Sequence, residues 1–150
     1  MKRQAILLVV ATATTILLGV GIAAALTKTC GGGDCVGSQQ NDQLTGTTSN
    51  DRIAELEGND TITEPATGTL SDNDEIFGGG GNDVITDNQG ANDNDRIFGD
   101  AGNDIIDVDE SGDNVGGEIV DCGPGKKDKV FADSFDQLTH CEIKKINQPH

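Results

Sequence analysis

Tryptophan and tyrosine are absent from this 150-residue chain, and phenylalanine occurs only four times. A sugar-cleaving cleft lined by aromatic platforms is therefore hard to build from it. Positive charge is equally scarce: ten Lys and Arg stand against 26 Asp and Glu, for a formal net charge of −16. The deficit is concentrated between Cys30 and Asp121, where only Arg52 and Arg96 oppose 22 acidic residues. Such a surface repels phosphate backbones, so no nucleic acid is expected as a partner. No H-E-x-x-H or G-x-S-x-G string occurs, and no cysteine has a histidine base in its sequence context. No enzyme is expected on that ground, and no small-molecule substrate is indicated. Hydrophobic residues make up 34% of the chain, which by composition alone would suit a disordered polar tract.

What is present argues for order. The string Asn-Asp-x-(Ile/Leu) returns seven times, with Asp at 42, 51, 60, 74, 83, 95 and 104. A looser eighth copy is Gly112-Asp113-Asn114-Val115, and the Asp-to-Asp steps are 9, 9, 14, 9, 12, 9 and 9. The phase thus survives two insertions. A short fixed period means one structural unit stacked on itself, whereas disorder has no reason to keep an aliphatic two places after Asp. Within each unit a Gly-rich turn ends in Asp, and the next three residues suit a very short strand with its middle side chain inward. The expected inward set is Leu44, Ile53, Ile62, Ile76, Ile85, Ile97, Ile106 and Val115. One turn plus one strand is half a coil, so units two apart share an edge.

Sorting by edge separates two kinds of unit. Those ending in Asp60, Asp83 and Asp104 carry glycine two residues before Asp (Gly58, Gly81, Gly102). Those ending in Asp74 and Asp95 lack it, follow the insertions, and continue as Ile76-Phe77-Gly78 and Ile97-Phe98-Gly99. One edge is expected to be rich in turn oxygens and the other degenerate and looped. Glycine lets carbonyl oxygens crowd together, and Asp adds carboxylates. That oxygen-only mixture suits Ca²⁺, which takes six to eight such ligands.

The unit Gly78-Gly79-Gly80-Gly81-Asn82-Asp83-Val84-Ile85-Thr86 matches the nonapeptide Gly-Gly-x-Gly-x-Asp-x-U-x, U being a large aliphatic, at every defined position. From about Gly37 to Gly116 the chain resembles the hemolysin-type calcium-binding repeat (RTX) family. The resemblance implies an all-β, right-handed parallel β-roll that binds several Ca²⁺ ions. It also implies ligand sets. The first uses the Leu56 and Gly58 carbonyls and Asp60, with the Gly78 and Gly80 carbonyls and Asp83. The second uses the Gly79 and Gly81 carbonyls and Asp83, with the Gly99 and Ala101 carbonyls and Asp104. Leu56 and Ala101 depart from the glycine pattern. Asp42, Asp51, Asp74 and Asp95 are weaker candidates. The segment Val120-Asp121-Cys122-Gly123-Pro124-Gly125, with Asp128-Lys129-Val130 and Cys141-Glu142, looks like the end of secreted actinobacterial proteins of this type. Asp128-x-Val130 is expected as a last, imperfect rung, covered by Phe131, Phe135, Leu138 and Ile143.

Residues 1–25 read as a Sec-type signal peptide: Lys2 and Arg3, an uncharged stretch from Ala5 to Leu26, and Ala23-Ala24-Ala25 as cleavage site. The expected destination is therefore extracellular. The 22-residue apolar stretch also suits an uncleaved anchor holding the repeats outside the cytoplasm. Residues 26–36 are then an N-terminal cap, 37–116 the repeats and 117–150 a C-terminal cap and tail. Four cysteines agree with an oxidising compartment and allow three pairings. Cys30–Cys35 with Cys122–Cys141 is favoured, one bridge at each end. A structural zinc competes, but the spacings C-x₄-C and C-x₁₈-C match no common zinc pattern. Beyond calcium ions no partner is named. A calcium-stapled adhesive or surface-assembly protein is the alternative, with a cell-surface partner of unknown kind, and an unrecognised hydrolase ranks behind it.

Overall fold

The computed structural model describes residues 24–65, 72–87, 94–109 and 117–147. The expected signal peptide or anchor, apart from its last two residues, and the unit Gly112-Asp113-Asn114-Val115 lie outside them. Among the described residues there are thirteen short strands and no helix. They are β1 (Thr27–Thr29), β2 (Gly33–Val36), β3 (Gln43–Thr45), β4 (Asp51–Ala54), β5 (Thr61–Glu64), β6 (Glu75–Phe77) and β7 (Val84–Asp87). Then come β8 (Arg96–Phe98), β9 (Ile105–Asp107), β10 (Ile119–Asp121), β11 (Lys129–Ala132), β12 (Gln137–Thr139) and β13 (Ile143–Ile146).

Successive strands alternate between two parallel sheets, odd-numbered strands in one and even-numbered in the other. The molecule is a parallel β-solenoid with two strands per coil. Register follows the aliphatic position of the repeat. One column runs Leu44, Ile62, Ile85, Ile106, Val130, and the facing column runs Cys35, Ile53, Ile76, Ile97, Val120, Leu138. All but Leu138 are buried, and Leu138 packs against that core. Because side chains alternate across a strand, each flanking residue faces out. The same alternation turns outward the Phe that follows Ile in the two units with insertions. Phe77 and Phe98 stack on the outer face with centroids 5.0 Å apart, roofed by Arg52 and Arg96 at 4.9 and 5.9 Å.

Three expectations change at the ends. The expected caps carry strands of the solenoid itself, since β1 and β2 pair with β3 and β4, and β10 to β13 continue both sheets. Asp128-x-Val130 is not the last rung, because β12 and β13 follow it. The rung after Ile97 in its sheet centres on Val120, preceded by Glu118, rather than on Val115. Of the expected covering residues, Leu138 reaches the core, Phe131 lies outside under Lys129 and Lys145, and Phe135 and Ile143 are exposed. Both favoured disulfides are formed, Cys30–Cys35 and Cys122–Cys141, with the sulfur pairs set into the core at either end.

Candidate metal centre

The Asn-Asp pair at each turn exit drives two opposed hydrogen-bond ladders. Asp60 Oδ1 accepts the backbone N–H of Asp42 at 2.7 Å, Asp83 that of Asp60 at 2.8 Å, and Asp104 that of Asp83 at 2.9 Å. Asp128 continues by accepting from Asp104, and Glu142 by accepting from Asp128. Each Asp amide therefore points one coil onward. The Asn amides point back: Asn59 N–H donates to Asn41 Oδ1, Asn82 to Asn59, and Asn103 to Asn82. On the opposite edge Asp51 donates to Asp74 and Asp74 to Asp95. The repeat letters thus encode how coils are held together before any ion is considered.

The first edge carries Asp42, Asp60, Asp83 and Asp104. One carboxylate oxygen of each of Asp60, Asp83, Asp104 and Asp128 is spent on the ladder, while Oδ2 is buried with no hydrogen-bond partner. Those oxygens face glycines. A Cβ at Gly78 would lie 2.9 Å from Asp83 Oδ2 and 2.7 Å from the Gly99 carbonyl oxygen. At Gly99 it would lie 2.8 Å from Asp104 Oδ2 and 2.6 Å from the Cys122 carbonyl oxygen. Any side chain would fill these oxygen-lined spaces. The turns enter them through positive φ at Gly58, Gly79 and Gly81.

All eight expected carbonyl ligands lie on this edge. Those of Leu56, Gly80, Gly79 and Ala101 accept coil-to-coil N–H bonds from Gly80, Gly58, Ala101 and Gly81 at 2.7–2.8 Å. Their second lone pairs stay available. The Gly58 and Gly81 carbonyls abut Gly81 and Gly102 of the next coil, 1.4 Å from where a Cβ would stand. The donors offered are oxygen only, which fits a hard cation such as Ca²⁺ and fits thiophilic metals poorly.

The second edge carries Asp51, Asp74 and Asp95. It lacks the glycine turns, as expected, yet it is not poor in oxygen. Glu64, Asp72 and Asp87 are buried beside the ladder carboxylates. Glu64 has no hydrogen-bond partner on either oxygen, and Asp51 Oδ1 and Asp95 Oδ2 have none.

Crowded buried carboxylates hold their protons. On the first edge, burial and then the carboxylates of Asp60, Asp42 and Asp83 push Glu55 up to about 8. Burial outweighs the N–H donated by Asp60 and, with Asp104, Asp60 and Asp100 adding repulsion, pushes Asp83 to about 7. Burial likewise takes Asp104 to about 6. On the second edge, burial followed by Asp74, Asp87, Asp51 and Asp95 takes Glu64 to about 9. Burial also raises Asp95 to about 8 and Asp74 to about 7. Asp42 goes the other way. Burial works to raise it, but the N–H groups of Leu26 and Ser38 and the Ser38 hydroxyl hold it below the ordinary value.

Sequence reasoning passed over Glu55, Glu64 and Asp87. Each stands four residues after a motif Asp, a position held by glycine at Gly46, Gly78 and Gly99. Asp42, Glu55 and Asp60 bring one oxygen each to within 4.8 Å of one another.

The profile of the RTX calcium-binding nonapeptide repeat (4 copies) family matches residues 36–63, 69–106 and 89–115. No curated protein and no solved structure matches the chain.

Proposed function

Because the chain belongs to the RTX calcium-binding nonapeptide repeat family, we propose that it is an extracellular calcium-binding module whose folding is coupled to the ion. The observation that carries this reading is the row of buried, unpartnered Oδ2 atoms of Asp60, Asp83 and Asp104 along the glycine edge. A buried carboxylate without a partner is costly, and it is relieved by a proton or by a cation. Calcium, when bound, supplies that positive charge and draws oxygens of adjacent coils onto one point. Asp83 lies between two glycine turns, so it is the residue best placed to serve ions on both sides. The carbonyls of Gly58, Gly78, Gly81 and Gly99, with those already bridging coils, complete the oxygen supply.

Coupling to folding follows from the charge. The stretch from Cys30 to Asp121 repels itself, and its core is two single-file columns of aliphatic side chains. An ion that binds only the coiled form stabilises it by mass action. Extracellular calcium modules bind with Kd of roughly 10⁻⁴–10⁻³ M, so a chain exported unfolded would close on reaching millimolar calcium. The two disulfides suit that compartment.

Calorimetric titration of calcium into the processed chain, paired with circular dichroism, tests the reading. The expected result is several bound ions and a β signal that appears with calcium and is lost in excess chelator. A full β signal in chelator, with no heat of binding at millimolar calcium, would overturn it.

A further inference from the structure

The seven-stranded sheet begins and ends on lysine. Its inward column runs Leu44, Ile62, Ile85, Ile106 and Val130, all buried. One strand further at either end, the residue in register is Lys28 of β1, beside Leu44, and Lys144 of β13, beside Val130. Both are exposed. A cation thus stands in place of the aliphatic at both ends of the column and nowhere between. Lys144 also covers what it terminates. Its Nζ donates to the Leu138 carbonyl oxygen of β12 at 3.5 Å, so the side chain crosses from one sheet to the other at the last rung. An alkyl stem can lie on apolar surface while its ammonium stays in water.

The same two strands carry bare edges. Among the described residues β1 pairs with β3 alone and β13 with β11 alone, so each leaves one row of N–H and C=O groups without a strand partner. Such an edge is a template for pairing with another chain. The net charge of −16 keeps whole molecules apart. On the calcium reading that repulsion falls when ions bind, which is also when the edges form. The lysines act on the edges themselves. Pairing that carries the inward column across a junction sets lysine against lysine whichever ends meet: β1 with β1, β13 with β13, or β13 with β1. Like charges facing one another on adjacent strands are destabilising, and more so in a core position away from water.

We propose that the two ends of the seven-stranded sheet are surfaces that fit a second copy of this chain, and that Lys28 and Lys144 hold them shut. The folded protein stays a single chain because of these two side chains, although both sheet edges are bare. Position on the strand is what matters. Lys145, the next residue along β13, belongs to the outer face, where it lies over the Phe131 ring at 5.2 Å. At the N-terminal end the facing column stops on Cys35, which is buried and bridged to Cys30. Lys28 guards the one column that no disulfide closes there.

The test is the mass of the processed, disulfide-bonded chain in millimolar calcium, by sedimentation at equal concentrations, with the β spectrum read on each sample. Wild type is expected as a single chain. Lys28→Leu or Lys144→Leu opens one end, so each should double in mass and stop, since the pair has no further open end. The double variant opens both ends and should grow into assemblies of many copies. Lys145→Leu removes the same charge from the same strand without entering the inward column, and should remain single. A double variant that stays single with its β spectrum intact overturns the proposal. So does Lys145→Leu associating as far as Lys144→Leu, or wild type already associated as far as the double variant. Should the double variant lose its β spectrum, the single variants decide: a doubled mass in either supports the lock, and single chains in both sink it.

Discussion

The two edges of the solenoid share one hydrogen-bond ladder and differ in where their remaining oxygens come from. On the glycine edge, Asp60, Asp83 and Asp104 face backbone carbonyls, which are neutral donors. On the other edge, Asp51, Asp74 and Asp95 face Glu64, Asp72 and Asp87, which are not. Carbonyls can sit together without an ion at little cost, whereas crowded carboxylates must take up either protons or cations. Both edges hold acids raised by burial, but the glycine edge sets its acids beside carbonyls and the other crowds more carboxylates together. Where the glycines are missing, that edge carries buried carboxylates instead.

The largest expected effect that would break this contrast comes from Asp83→Ala set against Asp95→Ala. Both orphan a backbone N–H, that of Asp60 or of Asp74, at about 1–3 kcal/mol each. Only Asp83→Ala also removes a carboxylate from between two glycine turns. It should lower the calcium stoichiometry and most of the calcium-dependent rise in Tm, while Asp95→Ala keeps the glycine-edge count. Equal losses in both variants would erase the distinction between the edges.

A smaller effect concerns protons. Acids whose folded pKa is raised favour the folded chain while protonated, and that stability is lost as pH climbs from their ordinary range through the raised value. In chelator, Tm should therefore fall as pH rises from about 4 to about 9, through the raised values of Asp104 (about 6), Asp74 and Asp83 (about 7), Asp95 (about 8) and Glu64 (about 9). Calcium affinity should run oppositely and weaken toward acid. Glu64→Gln should raise the chelated Tm at pH 9 and leave it unchanged at pH 4. A Glu64→Gln shift of equal size at both pH values would show that the carboxylate edge is not what responds.

The least effect separates the Asn ladders. Asn59 Oδ1 accepts from Asn82 N–H at 2.7 Å, whereas Asn50 accepts from Asn73 at 3.4 Å. Asn59→Ala should cost about 1 kcal/mol by denaturant titration, and Asn50→Ala nothing measurable. Matching costs would place the two edges on one footing.

Much of this was legible in the letters. The nine-residue beat placed seven inward aliphatics correctly, from Leu44 to Ile106, each now buried in one of two columns. It also separated the edges and put the turn glycines on one of them. What stayed hidden was the second inward position of each unit. Alternation along a strand puts Asp in, the next residue out, the aliphatic in, the next out, and the fourth residue after Asp in again. Followed one step further, the pattern would have sent Glu55, Glu64 and Asp87 inside rather than into a turn. The rung at Glu118-Ile119-Val120 was hidden for another reason. It exchanges the Asn-Asp signature for Gly-Glu, and Gly112-Asp113-Asn114-Val115 offers a better match to the letters without the register.

The ladder of Asp amides also has a direction. Every coil on the glycine edge borrows its acceptor from the coil that comes after it in the chain: Asp42 from Asp60, and so on to Asp128 from Glu142. In a chain that formed coil by coil from its N-terminus, the newest coil would carry one unquenched donor, satisfied only by an acceptor 14 to 24 residues further on. The ladder is thereby directional, like a zip fastener whose final tooth is a glutamate. Cutting the chain before Glu142 would leave the fastener open at its pull end, with the loss felt first at Asp128.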